Sequence, residues 1–401
     1  MDMNNNSSSS RIILTIYITA LSMGLAYGSH APLIPVFARD VLKANYTEIG
    51  FIGMANYLPY AFFPFLVGLL LDRISKLIVL LIGISMATAS IAMLTMVDNI
   101  STLLLLRAVS GIAHAFFWPS AEAMISSINN NESINYSNEA KINGSRSIKR
   151  ISRFTMTWVI GYMIGPLLGS YMFNFGYAHL FLYSSLIMLP SLACITLLLR
   201  LHTAVVNSKN AKSIDIKKVR GIVRDRFILI LMIIYYSASF AIVLSILPSY
   251  MNDNNIDEHS IGLLFFIFGV ARLVTLTIVH KLAGHKGIVA ANIAIAIAML
   301  MAYMLTTLYS LTLSMIAFGF AFSIYFPVTL SMITKGIPSN LIGSVVGLYE
   351  TIFGIGWASA PLISGIIADA FGISTPYLLM SALGLVLVLA YILTVIRYKV
   401  N

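Results

Sequence analysis

Twelve times along this chain, a run of roughly twenty residues passes with almost no charge, the length a helix needs to cross a hydrocarbon layer. The runs fall near residues 11–37, 48–71, 77–97, 101–127, 153–176, 179–199, 227–250, 260–281, 287–308, 311–334, 341–369 and 375–396. In lipid each run must satisfy its own backbone, so each is expected to be a helix. Composition points the same way: only 10% of the residues are charged, against roughly 25% in a soluble domain. The formal charge of +10 is therefore no sign of nucleic acid, because the basic residues sit in short pieces between apolar runs. The expected fold class is an all-α membrane protein. Cys194 is the one cysteine, which excludes an intramolecular disulfide and argues against a thiolate metal site. No cofactor is implied. The polar start "MDMNNNSSSS" leads through one basic residue into a full-length span, which is not the build of a cleavable signal peptide.

An even number of spans puts both termini on one side, and positive charge says which. The termini and the even-to-odd connections hold Arg11, Arg73, Lys76 and the clusters within 141–153, 200–226, 281–286 and 335 and beyond. The opposite side holds only Arg39 and Lys43. A multi-pass protein of the cell membrane with both termini in the cytoplasm is expected. Residues 200–226 form a basic linker between a six-helix bundle over 1–199 and a second over 227–401. Its charges read as a topology signal, with anionic lipid heads the alternative. Asn45-Tyr-Thr and Asn99-Ile-Ser are formal glycosylation sequons close to the membrane.

The two bundles resemble each other. "GIAHAFFWPSAEAMI" (111–125) aligns with "GFAFSIYFPVTLSMI" (319–333) with five identities in fifteen. "GYMIGPLLGS" (161–170) meets "GWASAPLISG" (356–365), pairing Gly161 with Gly356 and Pro166 with Pro361. Two six-helix repeats of like orientation suggest a carrier whose halves rock about a central cavity.

The first segment holds charge where the second has none. Arg107, His114 and Glu122 stand at the register of Met315, Phe322 and Leu330, so the scaffold accepts apolar side chains there. On a helix, Arg107, Gly111, His114, Trp118 and Glu122 fall on one stripe, with Arg107 and Glu122 about 22 Å apart. A charge facing lipid is costly, so the stripe should face the bundle interior or a watery cavity. Arg107 is the leading functional candidate. His114 is a proton carrier or a histidine held by local hydrogen bonds, and Glu122 is a partner for Arg73 or Lys76. In the second half, Arg272 and Glu350 are a proton carrier with its neighbour or a permanent pair. His30 lies near the outer end of the first span. The aromatic candidates for a cavity wall are Tyr17, Tyr27, Trp118, Tyr235, Tyr236, Tyr325 and Trp357, which serve equally as packing residues. Gly161, Gly165 and Gly169, spaced by four, form a smooth strip for close helix approach, with Pro166 allowing a bend.

These residues resemble the major facilitator superfamily of secondary transporters. "GLLLDRISK" (68–76) is similar to its signature between spans two and three, matching at Gly68, Asp72, Arg73 and Lys76, with Ser75 where a glycine is usual. The resemblance implies a conformational latch at Asp72 and Arg73. "RAVSGIAHAFFWP" resembles the span-four motif, whose arginine is implicated in proton transfer, here Arg107. "GYMIGPLLGS" resembles the span-five motif of antiporters, with Ser170 in place of its last glycine. The expected function is therefore a secondary transporter of a small solute across the bilayer by alternating access, coupled to protons, monomeric, and exporting an amphipathic molecule. Uptake of a polar metabolite, a sugar or an organic anion, is the alternative. No HExxH, Walker lysine or paired aspartates suggest an enzyme. A non-transporting sensor is the remaining class.

Overall fold

The computed structural model describes residues 2–71, 73–133, 140–201, 226–282, 284–304, 307–334 and 342–400. Among these residues there are helices and turns and no strand. Twelve spans follow in order. The first runs through Asp2–His30, a tight turn at Ala31–Leu33 and Ile34–Asp40, and the second is Tyr46–Leu71. Lys76–Met93, Ile100–Ser133 and Ala140–Phe173 are the third to fifth. The sixth is divided into Tyr177–Leu186 and Leu189–Leu201, and the seventh into Phe227–Ser245 and Leu247–Asp253. Glu258–Ile278, His285–Tyr303, Leu308–Thr334, Ile342–Phe371 and Thr375–Val400 complete the set. Among the described residues ten helices are long and apolar enough to cross a membrane; Tyr46–Leu71 and Ala140–Phe173 stand where the second and fifth spans were expected.

Proline explains the breaks. It lacks an N–H and crowds the preceding turn, and the sixth and seventh spans divide beside Pro190 and Pro248. Pro119, Pro166, Pro327 and Pro361 instead lie inside unbroken helices. They occupy equivalent places in spans four and ten and in spans five and eleven, as the internal repeat requires. Both sequon asparagines are helix caps: Asn45 Oδ1 accepts the Glu48 N–H and Asn99 Oδ1 the Thr102 N–H, each at 2.8 Å.

The chain divides into two compact units. The first comprises Met1–Ala31 and Phe62–Asn210. Its core joins Ile16, Met23, Leu80, Ile84, Phe117 and Phe154, all but fully buried. Spans one and five approach backbone to backbone. A Cβ on Gly165 would stand 2.6 Å from the Gly28 Cα, and one on Gly161 would lie 2.5 Å from the Leu21 carbonyl oxygen.

The second unit comprises Pro32–Ala61 and Ala211–Asn401. Here Gly356, the counterpart of Gly161, lies against Ile234 and Ala238 of span seven, as Gly161 lies against span one. Arg226 donates to the carbonyls of Met332, at 2.6 Å, and Ile333, completing the end of span ten. Asn292, alone among apolar residues of span nine, donates to the Gly384 carbonyl at 2.7 Å and accepts the Tyr325 hydroxyl. Both Asn292 and Tyr325 are wholly buried. Asn292→Leu should therefore strand a hydroxyl and a carbonyl, at about 1–3 kcal/mol each. The expected result is a clearly lowered unfolding temperature of the detergent-purified protein, measured by thermal shift.

Candidate functional site

Three elements of the first unit meet at a buried polar cluster. Span four presents Arg107, Ser110 and His114 on successive turns of one face, the spacing at which helical side chains stack. The end of the first helical segment adds Tyr27 and His30, one turn apart. Span three adds Ser90, which with His30, Leu106, Arg107 and Ser110 lines a crevice too tight for a water molecule. Arg107 is 6% exposed and His30 1%.

Tyr27 stands between the two imidazoles. Its ring centroid lies 5.1 Å from that of His30 and 4.0 Å from that of His114. Its hydroxyl is 2.8 Å from the Ser110 hydroxyl. His30 Nδ1 is 2.6 Å from the Ala26 carbonyl, an acceptor only, so Nδ1 carries the hydrogen and Nε2 is the nitrogen that takes up a proton. A guanidinium does not lose its proton near neutrality, so Arg107 acts here as a fixed charge beside two imidazoles. The sequence placed His30 apart from this stripe; the structure puts it inside.

The rest of the stripe differs in character. Trp118 belongs to an aromatic file between spans four and five, 5.5 Å from Phe154 and 5.3 Å from Trp158, with Tyr162 stacked beyond at 5.0 Å. Glu122 is exposed. Beside it, the Lys76 ammonium reaches the Ala123 carbonyl at 3.2 Å, tying the turn after span two to span four. Arg73 is exposed in that turn, nothing stands within 4 Å of where a Gly68 Cβ would be, and Asp72 lies outside the described residues.

The candidates of the second unit form an aromatic wall. Tyr236 stacks on Tyr325 at 4.7 Å and 4° and touches Phe322 and Phe353. Trp357 stacks on Tyr57 at 4.6 Å and 10° and lies 5.8 Å from Phe240. Arg272 sits over the rings of Phe240 and Phe268, at 5.8 and 5.5 Å. Arg272 and Glu350 both lie within electrostatic range of the Tyr236 hydroxyl. Tyr235 is buried against Gly384 of span twelve. Among the described residues no three His, Cys, Asp or Glu side chains gather as metal ligands would. Sequence reasoning passed over Asn292 and the acidic residues at the span ends, Asp40, Asp253 and Asp369, and used Arg39 only as a topology charge. A lone amide in "AANIAIAIAML" was a visible signal for the first; charges at span ends carry none by themselves.

Paired prolines and glycines on corresponding helices already indicate two repeats, and comparison with known proteins decides the family. A sequence model of the Major Facilitator Superfamily matches residues 16–361 and, in an overlapping match, 229–400. The chain belongs to the major facilitator superfamily. It is a multi-pass membrane transporter, with the helical architecture of that family. An uncharacterised MFS-type transporter of Methanocaldococcus jannaschii is 26% identical over 379 residues, covering 91% of this chain and 93% of the relative. The multidrug efflux protein YfmO of Bacillus subtilis is 23% identical over 360 residues, covering 86% and 83%. Among solved structures, the nucleoside transporter NupG superposes with a TM-score of 0.75 over 95% of this chain and 98% of its own, at 14% identity. At that identity the likeness concerns the fold.

Proposed function

We propose that this superfamily member exports a small amphipathic solute in exchange for protons, by alternating access of its two six-helix halves and as a monomer with both termini in the cytoplasm. The observation that carries the reading is the cluster of His30, His114 and Tyr27 beside the buried charge of Arg107. Two imidazoles, side chains able to take up and give back a proton, beside a charge that keeps its own, supply the groups that proton exchange needs. Glu350, near Tyr236 and Arg272, is the corresponding carboxylate of the second half. The wall of Tyr236, Phe240, Phe322, Phe353 and Trp357 suits a flat, lipophilic solute, and one relative matched over most of its length is a multidrug efflux protein. Uptake of an organic anion held by Arg107 and Arg272 has less support, because Arg272 lies over two phenyl faces that already stabilise its charge.

Inside-out vesicles test the reading. With an acid interior, vesicles holding the transporter should accumulate a fluorescent quaternary cation, whose permanent charge prevents passive trapping by pH. A protonophore should release it. Accumulation no greater than in vesicles lacking the transporter would defeat the export reading.

A further inference from the structure

Within the second unit, the start of span two is held by side chains of spans seven and eleven. Arg39 lays its guanidinium on Asp253: Nε lies 3.2 and 3.1 Å from the two carboxylate oxygens, and Nη2 lies 3.1 Å from Oδ2. Its Nη1 donates to the Ala44 carbonyl at 3.0 Å. The Tyr46 hydroxyl donates to the same Oδ2 of Asp253 at 3.0 Å. Alongside, the Asn252 amide donates to both oxygens of Asp40, each at 2.9 Å. From span eleven, Asp369 accepts the backbone N–H groups of Tyr46 at 3.1 Å and Thr47 at 2.7 Å.

A helix start leaves its first N–H groups without partners in the helix. Here the Asn45 side chain takes the N–H of Glu48, and the Glu48 carboxylate takes that of Asn45, each at 2.8 Å. The N–H groups of Tyr46 and Thr47 remain, and Asp369 takes both. Its negative charge also faces the positive end of the helix dipole. Beneath this polar layer the two spans touch. A Cβ on Gly50 would lie 2.5 Å from the Pro361 carbonyl oxygen, and one on Gly365 would overlap the Tyr46 carbonyl.

We propose that Asp369, together with the Arg39–Asp253 pair, is a releasable lock on the outer end of the transport path, formed when that end is closed and parted in every cycle. This rests on the alternating-access reading above. Residues 32–61 belong by chain order and repeat to the first half, yet they pack in one unit with the second. A cycle in which the halves separate on the outer side must break this contact. Its chemistry suits release. The Arg39 and Asp253 side chains are 34% and 20% exposed, so water replaces their bonds at small net cost. The Asn45–Glu48 box stays with span two and preserves the helix start after Asp369 leaves. The offset that aligns Pro166 with Pro361 places Asn174 at the register of Asp369, so only one half carries the charged cap.

Ala44 is fully buried in the lock and gives a readout that needs no solute. In a Cys194→Ser background, Ala44→Cys should react slowly with a membrane-impermeant maleimide. Asp369→Asn offers one acceptor oxygen and an opposing amide where two N–H groups need acceptors. It should raise the labelling rate about tenfold, the factor expected from losing one charge-assisted hydrogen bond. An unchanged rate would overturn the lock. A second arm keeps the native cap: Asp40→Cys with Asn252→Cys, joined by a short reducible thiol crosslinker in proteoliposomes. Transport of the quaternary cation should fall to background and return on reduction. Transport at the unlinked rate while crosslinked would also overturn the lock. If the wild-type protein moves no cation, the export reading fails, and the labelling rates still decide the lock.

Discussion

Replacing Arg107 by alanine is expected to cut pH-driven solute movement by roughly 100-fold, the lower end of what a positioned electrostatic group contributes, while exchange of solute at equal pH survives. The split follows from the geometry. Arg107 is 6% exposed and lines the same crevice as His30, Ser90 and Ser110. As a guanidinium it holds its proton throughout, so in the proposed exchange its effect on proton movement is electrostatic, through the imidazoles beside it. Removing the charge changes how readily those groups load and unload, without removing the aromatic wall of the other unit. Arg107→Lys keeps the charge and loses the planar fork, and should fall between the two. Parallel measurements of gradient-driven uptake and of equal-pH counterflow separate the cases. If Arg107 serves packing alone, both rates fall together, in step with a loss of folded protein.

The second large effect is on folding. Gly165→Val should leave little or no monodisperse protein after membrane extraction, as read by fluorescence-detected gel filtration. Any side chain at 165 meets the Gly28 Cα at 2.6 Å and the Leu25 carbonyl at 2.8 Å, and both are backbone atoms that no rotamer change moves aside. Spans one and five would have to separate along their whole shared face, because Gly161 and Gly169 press at least as close on Leu21 and Ser29. Overpacking of a rigid core costs about 1–3 kcal/mol, and here the disrupted seam runs the length of two helices that associate mainly by close packing. Gly68→Ala is the contrasting case. Nothing stands within 4 Å of that position, and the amount of folded protein should not change.

The spans were legible because twenty apolar residues leave the backbone few alternatives. Their interruptions were less so. Pro190 and Pro248 divide helices while Pro166 and Pro361 do not; what differs is whether neighbouring groups absorb the proline, and no local pattern shows that. The stripe of Arg107 and His114 followed from helical periodicity. His30 did not join it on paper, because periodicity says which residues share a face and not which helix that face meets. Asn45 read as a glycosylation sequon and is a helix cap. The contacts among polar residues at the span ends were invisible for a similar reason: Arg39 and Asp253 are 214 positions apart, and a charge at the end of a span is ordinary until its partner is known.

The central claim is that proton and solute move in opposite directions through one transporter. Purified protein in proteoliposomes, with a pH dye trapped inside, tests it most directly. A quaternary cation is loaded inside and diluted outside, and the internal pH is followed as the cation leaves through the transporter. The account predicts internal acidification that tracks cation exit and disappears with Arg107→Ala. Cation exit at the wild-type rate with no change in internal pH, or with alkalinisation, would contradict it.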